Sequence, residues 1–189
     1  MIFQESLETG KAGESLIARY LLRLGYSVLP AYEKVDDDHK GPVLFSALSG
    51  ALIAPDMLAF KGQQVLWIEA KNKAAFTWYR KTGEWVTGID LHYYQQYLTI
   101  QEERPEWPVW LLFLHHDGIA KDTPVGKMSP TGLFGNALST LMRNEHHRHA
   151  NYGTSGMVYW GVDALKFLAP LADILPGVSP QRESFGRRG

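Results

Sequence analysis

Asp56, Glu69 and Lys71 are the residues of this chain whose types and spacing could do chemistry together. They lie on two short apolar runs, residues 54–60 and 65–71, separated by little more than Gly62-Gln63. Both runs read as β-strands: they are too short for helices, and the second carries Val65, Trp67 and Ile68. A two-residue loop with glycine first suits a type II′ hairpin. Such a loop pairs Lys61 with Gln64 and Phe60 with Val65, so that Asp56 falls opposite Glu69. Alternation along the strands then places Asp56, Trp67, Glu69 and Lys71 on one sheet face. Two carboxylates facing each other across a ladder are ~5 Å apart and repel. A divalent cation held by oxygen ligands between them would remove that repulsion. The competing reading is a solvated salt-bridge cluster, which Trp67 and the apolar strands disfavour.

A third acid comes from the preceding segment. Residues 13–24 read as an amphipathic helix with Ile17, Tyr20, Leu21 and Leu24 on one stripe and Gly25 as its stop. Glu14 borders that stripe, where a carboxylate needs a partner; favourable interaction with the helix N-terminus is the alternative. A first strand follows at 26–32, then a polar, turn-rich loop around Asp36-Asp37-Asp38. After the hairpin, a second, more polar one uses 76–79 and 85–87 around Thr82-Gly83. Asp90 is an expected N-cap for a helix from Leu91 to Glu103, ended by Pro105 and Pro108. Residues 109–114 read as a buried strand, 133–146 as a helix, 157–160 as a strand, and 163–168 as a short helix capped by Asp163. The order helix, three strands, helix, strand predicts an α/β sandwich in one domain over 1–175, with a mobile tail at 176–189.

Composition narrows the function class. The chain has 189 residues, enough for a core of its own, with 45% hydrophobic and 21% charged residues. It has no cysteine, which excludes disulfides and thiolate metal sites and fits a reducing compartment. No signal peptide is visible, and no apolar run approaches the ~18 residues of a membrane span. A net charge of −1 argues against coating nucleic acid by bulk charge. Locally, however, Lys61, Lys71, Lys73, Arg80 and Lys81 face a single acid, Glu69, between positions 61 and 81.

Pro55-Asp56, twelve intervening residues, then Glu69-Ala70-Lys71, flanked by that element order, resembles the PD-(D/E)xK nuclease superfamily over roughly residues 10–116. Within it the chain looks most like restriction-endonuclease-like and Holliday-junction-resolvase-like members of phage and mobile elements. The resemblance implies a restriction-endonuclease-like α/β/α sandwich with a mixed central sheet. It also implies a metal-dependent endonuclease acting on duplex or branched DNA, possible as a homodimer, in the cytoplasm of a bacterium or phage host. Asp56, Glu69 and the Ala70 backbone carbonyl would bind Mg²⁺, with Mn²⁺ able to substitute. Glu14 would be an outer-shell or second-metal ligand, and Lys71 would orient or help deprotonate the attacking water. Several branches carry a Gln on the following helix, which points to Gln95, beside a stripe of Leu91, Tyr94 and Leu98, with Tyr94 and Gln96 competing. One branch adds a Tyr four residues later, where this chain has Thr99. Lys73, Arg80 and Lys81 would contact the nucleic acid.

Two other classes are open. One is a nuclease-like fold that serves only binding or assembly, whose motif would be broken, and here it is intact. Glycosidases also pair two acids, but Lys71 and the basic neighbourhood favour phosphate over sugar. The remaining clusters carry less. Adjacent histidines at His115-His116 and His146-His147 diverge too far on a helix to chelate together, and 146–149 reads as a solvated helix end. The Asp36–38 triplet lacks the glycine and terminal glutamate of a calcium loop. Phe76, Trp78, Tyr79 and Trp85 favour packing over base stacking.

Overall fold

The computed structural model describes residues 3–31, 42–120, 122–152 and 155–175, with side chains from residue 11 onward. The opening helix α1 (Phe3–Arg23) begins ten residues before the expected start and ends where Gly25 takes φ +84°. Strand β1 (Ser27–Pro30) follows, shorter than the expected 26–32; Tyr32, Asp36, Asp37 and Asp38 lie outside the described residues. A hairpin of β2 (Val43–Ser46) and β3 (Gly50–Ile53) comes next; the sequence reading had placed no strand there.

The hairpin of β4 (Met57–Lys61) and β5 (Gln64–Lys73) has the expected register, from Lys61 with Gln64 through Met57 with Ile68. Gly62 takes φ +61° while no described non-glycine residue has positive φ, as a type II′ turn requires. The β4 ladder begins at Met57 because Pro55 has no N–H to extend it. A second hairpin joins β6 (Thr77–Tyr79) to β7 (Glu84–Asp90), and α2 (Leu91–Glu103) then crosses to β8 (Val109–His115), which runs parallel to β5. Asp90 occupies the N-cap position of α2, but its side chain makes no capping bond. The orphan donors find partners from elsewhere: Leu91 N donates to Gly156 O at 2.9 Å and His92 N to Ser155 Oγ at 3.3 Å.

The expected helix at 133–146 is a strand followed by one short helix, β9 (Gly132–Ala137) and α3 (Leu138–Arg143). Its leading apolar residues, Leu133 and Phe134, are sheet positions paired antiparallel with β8, while Leu138 and Leu141 lie on α3. Gly135 permits that close pairing, since a Cβ there would sit 2.6 Å from Leu111 O. His147 and His149 belong to β10 (His147–His149), not to a helix end, and pair with β11 (Met157–Gly161). Asp163 lies in a single 3-10 turn, Val162–Ala164, without a side-chain cap. The stretch expected as helix after it is β12 (Lys166–Ala169), before α4 (Leu171–Ile174). Residues 176–189 lie outside the described residues.

The main sheet has the order β1-β4-β5-β8-β9-β12 and mixes parallel with antiparallel pairs. Its two faces are covered separately. Ile68, Ala70, Leu112 and Leu114 pack with Ile17 and Leu21 of α1 and Ile174 of α4. Trp67, Leu111 and Phe113 pack with Tyr94, Tyr97 and Ile100 of α2 and Leu138 and Leu141 of α3. The fold is therefore an α/β/α sandwich with a mixed central sheet. A smaller sheet, β10-β11-β7-β6, adjoins it through β7 and α2.

Candidate active site

The two acids sit where β4 begins and β5 passes it. The Asp56 backbone carbonyl accepts from Ala31 N at 2.8 Å, and its carboxylate Oδ2 accepts from Ala70 N at 2.8 Å. A strand residue presents its N–H and C=O to the same neighbour, so the Ala70 carbonyl also faces the edge where Asp56 stands. Glu69 is 1% exposed yet fully engaged. Its Oε2 accepts from the Tyr97 hydroxyl at 2.6 Å, and its Oε1 pairs with the Lys71 ammonium. That ammonium lies 5.6 Å from the centroid of the Tyr93 ring.

The electrostatics express crowding. Burial raises the Asp56 carboxyl well above the usual range and the charge of Glu69 adds to it; Lys71 and the Ala70 N–H pull the other way, and Glu14 adds a weaker upward push. For Lys71, burial pulls the ammonium down, but the charges of Glu69 and Asp56 outweigh it and hold it protonated. Burial likewise raises Tyr97, with Glu69 and Asp56 adding to it, so its hydroxyl stays a donor. The buried carboxylate of Glu69, the half-buried one of Asp56 and a main-chain carbonyl form a hard, all-oxygen donor set, and the excess negative charge at Asp56 is what a divalent cation would relieve. These residues fit such an ion. Among the described residues no group of three His, Asp or Glu side chains is poised as a complete metal cluster. Glu14, half-buried on α1, reaches Asp56 through its charge. Gly13 brings it there: a Cβ at that position would lie 2.3 Å from Asn72 Cβ, so the helix meets β5 at a glycine.

Gln95 is not brought to this cluster. It is exposed, about 200° around α2 from Tyr93 at 100° per residue. The buried stripe of α2 is Tyr94, Tyr97 and Ile100, rotated from the expected Leu91, Tyr94 and Leu98. Gln96 accepts from Ile53 N at 3.2 Å, and the Tyr94 hydroxyl donates to Glu145 at 2.5 Å, so neither competitor takes the place. Tyr93 and Tyr97, which sequence reasoning missed, are the α2 residues at the acids. Their i, i+4 spacing was visible, but only the correct phase of the helix identifies it. Lys73 stands on the same strand face beyond Lys71; burial lowers its ammonium to about 8, with Lys71 adding to the effect and Asp90 opposing it. Arg80 and Lys81 are exposed in the β6–β7 loop, where Arg80 pairs with Asp122 at 3.2 Å. His115 lies opposite Lys73, buried, its ring stacked on Phe76 at 3.8 Å. The aromatic run is packing in part, with Trp78 and Trp85 edge to face at 4.9 Å.

No protein-family model matches the chain, and no curated protein does. Among solved structures, the chain is similar to the Holliday junction resolvase Hjc of Archaeoglobus fulgidus. Identity is 11%, the alignment covers 82% of this chain and 85% of that one, and the TM-score is 0.47. Among the described residues no helix is long and apolar enough to cross a membrane.

Proposed function

We propose that this protein is a Mg²⁺-dependent endonuclease that hydrolyses DNA phosphodiester bonds. The observation that carries the reading is the convergence of Asp56, Glu69, Lys71 and the Ala70 edge on one partly buried spot. Asp56, Glu69 and the Ala70 carbonyl would hold the ion. An ion held there would supply the acidity that activates an attacking water near neutral pH and a counter-charge for the phosphorane.

The chain's own groups divide the remaining work. Tyr97 donates to Glu69 Oε2 and so fixes the rotamer of that carboxylate. Lys71, held as an ammonium beside Glu69, would orient the attacking water and offset charge on the phosphate oxygens. Glu14 restrains the ionisation of Asp56 and suits an outer-shell role. Lys73, next on the same face of β5, would contact an adjoining phosphate.

The test is plasmid nicking, with a panel of linear duplex, flap, gapped and four-way-junction DNA in Mg²⁺. Asp56→Asn, Glu69→Gln and Lys71→Ala should each lower cleavage by at least about 10²–10³-fold with the circular-dichroism spectrum unchanged. Undiminished cutting by Asp56→Asn refutes the assignment.

A further inference from the structure

The small sheet has a concave face that the proposed cleavage chemistry does not use. Although β6 and β10 are its opposite edges, the rings of Tyr79 and His147 stack 4.1 Å apart, and His147 stacks on Tyr159 at 4.6 Å and 5°. The long side chains of the two edges therefore reach across β7 and β11 and meet over the sheet face. Gly88 makes room for this column, because a Cβ there would come 2.8 Å from Tyr159 Cδ1. The resulting cleft encloses about 410 Å³, within the range of roughly 300–1,000 Å³ that holds one small ligand. Tyr79, Tyr159 and His147 wall it, and Tyr152, 62% exposed, stands at its lip beside His149 at 6.0 Å between ring centroids.

One residue joins this cleft to the acids. Lys73 lines the cleft and shares a strand with Glu69 and Lys71, on the same face of β5. Two residues along a strand span about 7 Å, so a DNA strand whose phosphate lay against Lys71 would pass Lys73 and the cleft that Lys73 lines. Resting on the nuclease reading, we propose that the cleft receives an unpaired nucleotide adjacent to the cleaved phosphate. The substrate class is then DNA carrying unpaired bases (gaps, flaps or open junctions) in preference to blunt duplex. A paired base cannot enter so small a concavity without leaving its stack, whereas aromatic rings accept any exposed base.

The experiment is fluorescence anisotropy of the full chain in EDTA, where binding is read without cleavage. The probes are a duplex with a two-nucleotide single-stranded gap, the same duplex with abasic residues in the gap, and a blunt duplex. Wild type should bind the gapped probe about tenfold tighter than the other two. Tyr152→Ala and His149→Ala, both at exposed positions, should each erase most of that preference while keeping blunt-duplex affinity and melting temperature. Equal binding of all three probes, or a preference that survives both variants or the abasic gap, overturns the proposal. The two readings separate cleanly. A protein that cleaves but shows no gap preference sinks the cleft and leaves the nuclease. One that keeps the base-dependent preference without cutting any DNA sinks the nuclease and leaves the cleft.

Discussion

Asp56 is a carboxylate whose surroundings penalise its charge, first through burial and then through Glu69. The consequence for stability has a definite sign. A carboxyl with a raised folded-state pKa binds more protons in the native than in the unfolded chain over the interval between the two values, so native stability falls as pH rises through it. In metal-free protein at pH 7, Asp56→Asn should therefore raise the melting temperature. Mg²⁺ should stabilise wild type by mass action and leave the variant nearly unchanged. Calorimetry with and without EDTA checks both; a variant that melts below wild type in EDTA contradicts the charge assignment. Tyr97→Phe makes the complementary test. It leaves Glu69 Oε2 buried without its donor, at a cost of about 1–3 kcal/mol in denaturant titrations, and should slow cleavage by loosening the carboxylate.

At the scale of the element, α1 and α2 decide which side chains reach the acids. Replacing a helical glycine by alanine usually stabilises by about 0.5–1 kcal/mol. At Gly13 the added Cβ would meet Asn72 Cβ at 2.3 Å, close to the main chain of β5 rather than at a flexible tip. Gly13→Ala should thus destabilise by about 1–3 kcal/mol and reduce activity by moving Glu14, readable as a lower urea midpoint with an unchanged m-value. The phase of α2 gives a second contrast. Gln95→Ala, on the exposed side, should cut within about twofold of wild type, whereas Tyr93→Ala, beside Lys71, should lose about tenfold. The reverse ranking in a steady-state assay would restore the helix phase read from the sequence.

For the whole molecule, the core contains a group that water would charge. His115 is wholly buried, and the Ala75 backbone approaches without completing a hydrogen bond to either ring nitrogen. Burial, with Lys73 adding to it, lowers the imidazole to about 3. The unfolded chain takes up this proton near the ordinary value of 6.5, so native stability should decline from about pH 6.5 down toward 3. His115→Phe, which keeps the stack on Phe76, should flatten that part of the pH–stability curve; an unaltered slope would place the acid sensitivity elsewhere.

How much of this was legible follows from the range of the forces involved. The β4–β5 hairpin, its register and the facing of Asp56 and Glu69 were readable, because a two-residue glycine-first turn and period-two alternation are local constraints. The span of α2 was readable from Asp90 and Pro105 for the same reason. What packs against what was not. Leu133, Phe134 and Ala137 carry apolar side chains suited to helix or strand, and only the edge of β8 made this stretch β9. The rotation of α2, which exchanges Gln95 for Tyr93 and Tyr97, is set by how its buried stripe meets Leu111 and Phe113, a contact between segments distant in sequence. The stack of His147 on Tyr79 joins residues 68 positions apart, and the cleft it borders exists only once the four strands of the small sheet have assembled. The amino-acid sequence determined the acids and the lysine; the tertiary structure decided their neighbours, because side-chain direction is local and packing is not.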